Sequence, residues 1–97
     1  MKKTTGELQK AIGELIKHTR ARTMDQAELA VRTGLSRSTI SAMERGKGVN
    51  SKALFDVLSF LELADLFQSV VERQLELMDE HRLRKVRKER EELSNDF

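Results

Sequence analysis

Cysteine, proline, tryptophan and tyrosine are all missing from the 97-residue sequence, and glycine occurs only five times. Without cysteine there is no disulfide and no thiolate metal site, so packing alone must hold the fold, which suits a reducing compartment. Without proline, helices meet few obligatory breaks, and with four phenylalanines as the only aromatics the chain is poor in residues that strands favour. An all-α protein is expected. Nowhere do about 18 apolar residues run together, and the start, Met1-Lys2-Lys3-Thr4-Thr5-Gly6, has no signal-peptide core. A cytoplasmic protein with no membrane partner is the expectation.

Catalytic constellations are missing too. The two histidines, His18 and His81, sit on separate segments, and neither has a neighbouring arrangement of carboxylates or hydroxyls that suggests a nucleophile, an acid–base pair or a metal site. Gly46-Lys47-Gly48 lacks the four-residue spacer and the strand of a phosphate-binding loop, so it reads as a turn. No enzyme, metal or cofactor is expected.

What is present is charge, unevenly placed. Met1 to Ala53 carries eleven Lys or Arg against five Asp or Glu, whereas Leu54 to Phe97 carries seven against eleven. The small net charge of +2 therefore conceals a basic N-terminal half, the footprint of a polyanion-binding module joined to a part with another task. The length fits one domain of about 60 to 70 residues plus an appendage.

Leu8, Ile12, Leu15 and Ile16 recur at helical spacing in a first amphipathic helix from Glu7 to Arg22. Asp25 can cap a second helix, with Glu28 as its capping-box partner; Leu29, Ala30 and Val31 are expected inward, and Gly34 ends it. Ser36 can cap a third helix through Arg45, with Ile40 and Met43 as its apolar edge. The rest of that helix start is Arg, Ser and Thr, free of acids, a surface able to approach base edges and phosphates closely. Two short helices and a glycine-bearing turn make a helix-turn-helix. Leu54, Val57, Leu58 and Leu61 predict a fourth helix, to whose core or interface Phe55 and Phe60 add. From Glu62 a long glycine-free helical stretch begins.

The blocks Gln26-Ala27-Glu28-Leu29-Ala30, Gly34-Leu35-Ser36, Ser38-Thr39-Ile40-Ser41 and Glu44-Arg45-Gly46 resemble the lambda-repressor-like family of phage repressors and xenobiotic-response-element regulators. The resemblance spans about Glu7 to Leu63. It implies an all-α, five-helix DNA-binding domain, here with an extended C-terminal helix, that lays its third helix in the major groove of double-stranded DNA. Arg37, Ser38, Thr39 and Ala42 match the base-reading positions, Arg37 suiting a bidentate guanine contact and Ala42 a thymine methyl. Gln26 matches a phosphate-contacting glutamine at a helix start. Ser41, Arg45, Lys47 and Lys52 are further phosphate candidates. In that family an arginine seven residues before this glutamine pairs with the glutamate near the end of helix three. Here that position is Thr19 while Glu44 remains, which leaves Arg20, Arg22, backbone groups or water as the glutamate's partners.

The expected organisation is an N-terminal arm over 1–6, a helix-turn-helix domain over 7–63, a dimerisation helix over 64–80 and a charged tail or helix extension over 81–97. Leu63, Leu66, Phe67, Val70, Val71, Leu75 and Met78 keep an apolar stripe longer than a core of this size needs, so part of it is assigned to a homodimer interface. Leu83, Val86 and Leu93 make only a weak seam within the tail, whose basic stretch could also flank DNA. The functional expectation is a sequence-specific transcriptional repressor, bacterial or phage in type, on a palindromic operator. Ala53 to Leu63 is also similar to DNA-binding antitoxins of kinase-toxin systems, so an autoregulating antitoxin holding a toxin protein is the alternative.

Overall fold

The computed structural model describes residues 4–95. Five helices follow in order, α1 (Thr5–Ala21), α2 (Gln26–Thr33), α3 (Arg37–Glu44), α4 (Ser51–Phe60) and α5 (Ala64–Asn95), with no strand among the described residues. The chain divides into two compact units, Met1–Ala64 and Asp65–Phe97.

Each start in the first unit is set by a short polar side chain that accepts from an otherwise unpaired backbone N–H. Thr4, Asp25, Ser36 and Asn50 cap α1, α2, α3 and α4 in turn, bonding the N–H of Glu7, Glu28, Thr39, and both Lys52 and Ala53. Helix α1 thus begins within the expected arm, whose first three residues lie outside the described ones. The capping box at Asp25 is half made: Glu28 bonds Arg32 one turn later.

Three ends share one device. At α2, α3 and α4 a residue in the left-handed conformation turns the chain, its N–H and the next one closing back on the last turn. Gly34 (φ 71°) and Gly46 (φ 75°) do this for α2 and α3. At α4 the position is Glu62 (φ 61°), with its N–H on the Ser59 carbonyl at 3.1 Å and that of Leu63 on the Leu58 carbonyl at 2.8 Å. The long helix expected from Glu62 therefore starts only at Ala64. Leu63, assigned from its spacing to a dimer interface, is folded back by this turn and only 8% exposed, so it belongs to the interior of the first unit.

That interior is built from Ile16, Leu29, Ile40 and Val57, one residue from each of α1 to α4, joined by Ala30, Met43, Ala53 and Leu58. Helix α3 packs against α2 and α1, and α2 touches α4. Gly13 makes the α1–α3 approach possible: a Cβ there would lie 2.6 Å from the Met43 carbonyl oxygen and 2.8 Å from that of Glu44. Several apolar residues expected inward are outside. Leu8 is 60% and Val31 81% exposed, and Leu15 also faces solvent; Phe55 and Phe60, open between core and interface in the sequence, are exposed and not part of the core. A helix crossing a small core over little more than one turn buries a stripe narrower than its apolar spacing suggests.

Helix α5 is uninterrupted from Ala64 to Asn95. Leu66, Val70, Val71, Leu75, Leu77 and Met78 are exposed on it, as are Leu83, Val86 and Leu93 further on. Phe67 is half-buried. Side-chain pairs one turn apart, Gln68–Glu72 at 2.9 Å, Arg73–Glu76 at 3.3 Å and Glu80–Arg84 at 3.9 Å, support the helix. No described helix is long and apolar enough to cross a membrane.

Candidate nucleic-acid interface

Helix α3 has two opposed sides. Ile40, Met43 and Glu44 are buried. With 3.6 residues per turn, Ser38, Ala42 and Arg45 project away from them, and Arg37, Thr39 and Ser41 lie on the flanks. Arg37, Ser38 and Arg45 are exposed; Thr39, Ser41 and Ala42 are half-buried. The exposed surface of α3, flanks included, carries the guanidinium groups of Arg37 and Arg45 and no carboxylate, because the one acid of α3 points inward.

The fate of that acid decides the electrostatics. Glu44 is 6% exposed and takes a two-point ion pair from Arg20, which is 9% exposed: Nε donates to Oε2 at 2.5 Å and Nη2 to Oε1 at 3.0 Å. Arg20 Nη1 donates to the Met24 carbonyl at 2.9 Å, and Gln26 Nε2 gives Glu44 Oε1 a further bond at 3.1 Å. No buried side-chain N or O is left unpartnered among the described residues. Planar guanidinium against planar carboxylate is the strong form of such a pair. The hydrogen bond to Glu44 raises the Arg20 pKa above its ordinary value against the opposing effect of burial, so this cation stays charged throughout the neutral range. The sequence comparison had put Thr19 at the partner position; the pair is nevertheless made, by Arg20, since one residue along α1 rotates the side chain from the half-buried flank to the buried face.

Ser38, Thr39 and Ala42 line an open groove of about 630 Å³ between α3 and the start of α4. Its opposite wall includes Asn50, Lys52, Ala53 and Asp56. Lys52 pairs with Asp56 at 2.8 Å, and Asn50 accepts from two backbone N–H groups at the start of α4. The Thr39 hydroxyl is 2.8 Å from the Ser36 hydroxyl, which leaves it shared between the cap and the groove. Arg37, Ser41 and Arg45 are not among the residues that line this groove. Arg45 donates from Nε to the Ser41 carbonyl at 3.3 Å. Lys47 is exposed on the turn that follows.

Residues 11–75 match the family model described as a helix-turn-helix domain. The chain belongs to this helix-turn-helix family. No curated protein resembles it closely enough to count as a match. The family and the five-helix fold, with no strand among the described residues, agree with the lambda-repressor-like resemblance carried by the motif blocks. A helix-turn-helix domain marks the chain as a DNA-binding regulator, of a kind that is typically non-enzymatic.

The motif occupies Asp25 to Arg45, and α2 packs on α3 within it, but part of what holds it lies in α1 outside it. Gly13 and Arg20, both on α1, set the distance and the angle of α3; Arg20 was one of the candidate partners of Glu44 in the sequence, whereas Gly13 did not stand out as a support of the site. A glycine inside an amphipathic helix was the available signal for Gly13. Gln26 has a structural task, since its amide N–H is bonded to Glu44 and ties the start of α2 to the end of α3.

Proposed function

We propose that this protein is a sequence-specific transcriptional repressor that binds a two-fold symmetric operator in double-stranded DNA as a homodimer. The observation that carries the reading is the exposed surface of α3, which presents Ser38, Ala42 and Arg45 outward with Arg37 and Ser41 on its flanks, while its only carboxylate is buried against Arg20. An acid on that surface would repel phosphates; here it is removed from the DNA side.

In this reading Arg37, Ser38, Thr39 and Ala42 read bases in the major groove. Gln26, Ser41, Arg45, Lys47 and Lys52 hold phosphates and set the register. Residues 7–63 form the DNA-binding domain and 64–80 the dimerisation helix, with Leu66, Phe67, Val70, Val71, Leu75 and Met78 against the second subunit and 81–97 as its extension. The exposure of these apolar side chains supports a dimer, because a monomer would leave most of them in water.

Selection of bound sequences from random duplexes, followed by titration against salt, tests the proposal. A two-fold symmetric motif is expected, with affinity falling steeply as salt rises. Recovery of no motif, with wild type and Arg37→Ala binding alike, would sink it.

A further inference from the structure

Along α5, Ala64, Leu75 and Val86 stand eleven residues apart, and so do Phe67, Met78 and Glu89. Val71, Arg82 and Leu93 repeat the same interval. Three interleaved rows of this period form one stripe nearly parallel to the helix axis, because eleven residues are close to three turns of an α-helix. Such a stripe lets two helices lie side by side over their whole length, well past residue 80. Val71, Leu75, Met78, Val86 and Leu93 on it are all exposed.

The charges choose between the two ways of pairing. From Ala64 to Glu80 the helix carries five acids and one base; from His81 to Asn95 it carries six bases and three acids. Parallel alignment in register sets acid half against acid half and basic half against basic half. It also stacks Arg82 on its own copy, and Glu89 likewise, inside the stripe. Neither residue has an ion-pair partner among the described residues that would neutralise it there. Antiparallel alignment sets each acidic half against a basic one and sets the two helix dipoles in opposite directions, the N-terminus of one beside the C-terminus of the other.

We propose that α5 pairs with α5 of a second copy of this chain in antiparallel orientation, with Met78 near the two-fold axis and the contact extending through residues 81–93. The inference rests on the homodimer reading above and adds the orientation, the register and the role of the charged extension. In this register Val71 of one copy lies opposite Val86 of the other, Leu75 opposite the aliphatic stem of Arg82, and Glu89 opposite the uncharged Gln68. Two Val71 residues are then about 22 Å apart along the axis, as are two Val86 residues.

The cysteine-free sequence makes the test direct. Full-length Val71→Cys and Val86→Cys chains are prepared singly and co-expressed, treated with a short thiol cross-linker, and the mass of the untreated wild type is measured at micromolar concentration. The expected result is a wild-type mass twice that of the chain, no cross-link in either variant alone, and a cross-linked pair holding one of each when they are co-expressed. Self-linking of each variant alone, with no mixed product, would make the helices parallel and overturn the proposal while leaving the homodimer intact. A dimeric mass with no cross-link in any preparation would overturn it too, placing the interface elsewhere. A monomeric mass would remove the homodimer reading itself.

Discussion

Arg20 and Glu44 are 24 residues apart in the chain and face each other through two hydrogen bonds, the shorter 2.5 Å, in the interior of the first unit. The pair binds α1 to the C-terminal end of α3 and keeps the acid of α3 off its outer surface. Removing one partner leaves a buried charge unmatched, which costs about 3 to 5 kcal/mol. Glu44→Gln and Arg20→Met are each expected to lower the midpoint of urea unfolding strongly, whereas Arg20→Met with Glu44→Leu recovers a large part of the loss. Arg22→Ala, by contrast, leaves the midpoint nearly unchanged, since Arg22 is exposed and has no share in the pair.

Glycine substitutions separate contact from conformation. At Gly46 a Cβ would come within 2.8 Å of the Lys10 Cα, on top of a left-handed backbone, and at Gly13 it would meet two carbonyl oxygens. At Gly34 nothing lies within 4 Å, so only the left-handed conformation resists a side chain. Gly34→Ala should cost about 1 to 2 kcal/mol, and Gly13→Ala and Gly46→Ala clearly more, as read from thermal unfolding of the three variants side by side.

The reverse experiment is available at Glu62, the only non-glycine residue with positive φ among those described. Glycine relieves the steric cost of that conformation but adds freedom to the unfolded chain, and the two effects partly cancel. Glu62→Gly is expected to raise stability by less than about 1 kcal/mol, visible as a small increase in melting temperature.

On DNA, base and phosphate contacts give different signatures. Arg37→Ala should cost about 1 to 3 kcal/mol on the selected operator and relax preference at one position of each half-site. Lys47→Ala should weaken binding to all duplexes alike and reduce the salt slope by about 1. Fluorescence-anisotropy titrations on operator and scrambled duplexes at several salt concentrations distinguish the two patterns.

Caps repeat the comparison at the level of single hydrogen bonds. Ser36 accepts the Thr39 N–H at 3.0 Å, and Asp25 accepts that of Glu28 at 2.8 Å. Either residue changed to Ala should lose about 1 kcal/mol of stability. Ser36→Ala additionally frees the Thr39 hydroxyl, so it should alter operator affinity as well, which Asp25→Ala should do less.

Much of the first unit was legible in the sequence because its helix ends are local chemistry. Asp25 and Ser36 act on N–H groups three residues away, and Gly34 acts through its own backbone, so their effects could be read without knowing where the rest of the chain goes. The motif blocks then supplied the family. Val31 and Leu8 show where reading fails: periodicity tells that residues share a face, but not how much of that face another helix covers.

Taken alone, then, the sequence determined an all-α chain, its caps and turns, and a helix-turn-helix with an acid-poor outer surface. Those depend on residue type and on interactions spanning a few positions. Only the tertiary structure decided that Arg20, and neither Thr19 nor Arg22, neutralises Glu44, that Gly13 sets the approach of α1 to α3, and that Leu63 closes the interior of its unit. Each of these depends on how close two separated segments come and at what rotation, which spacing along one helix does not specify.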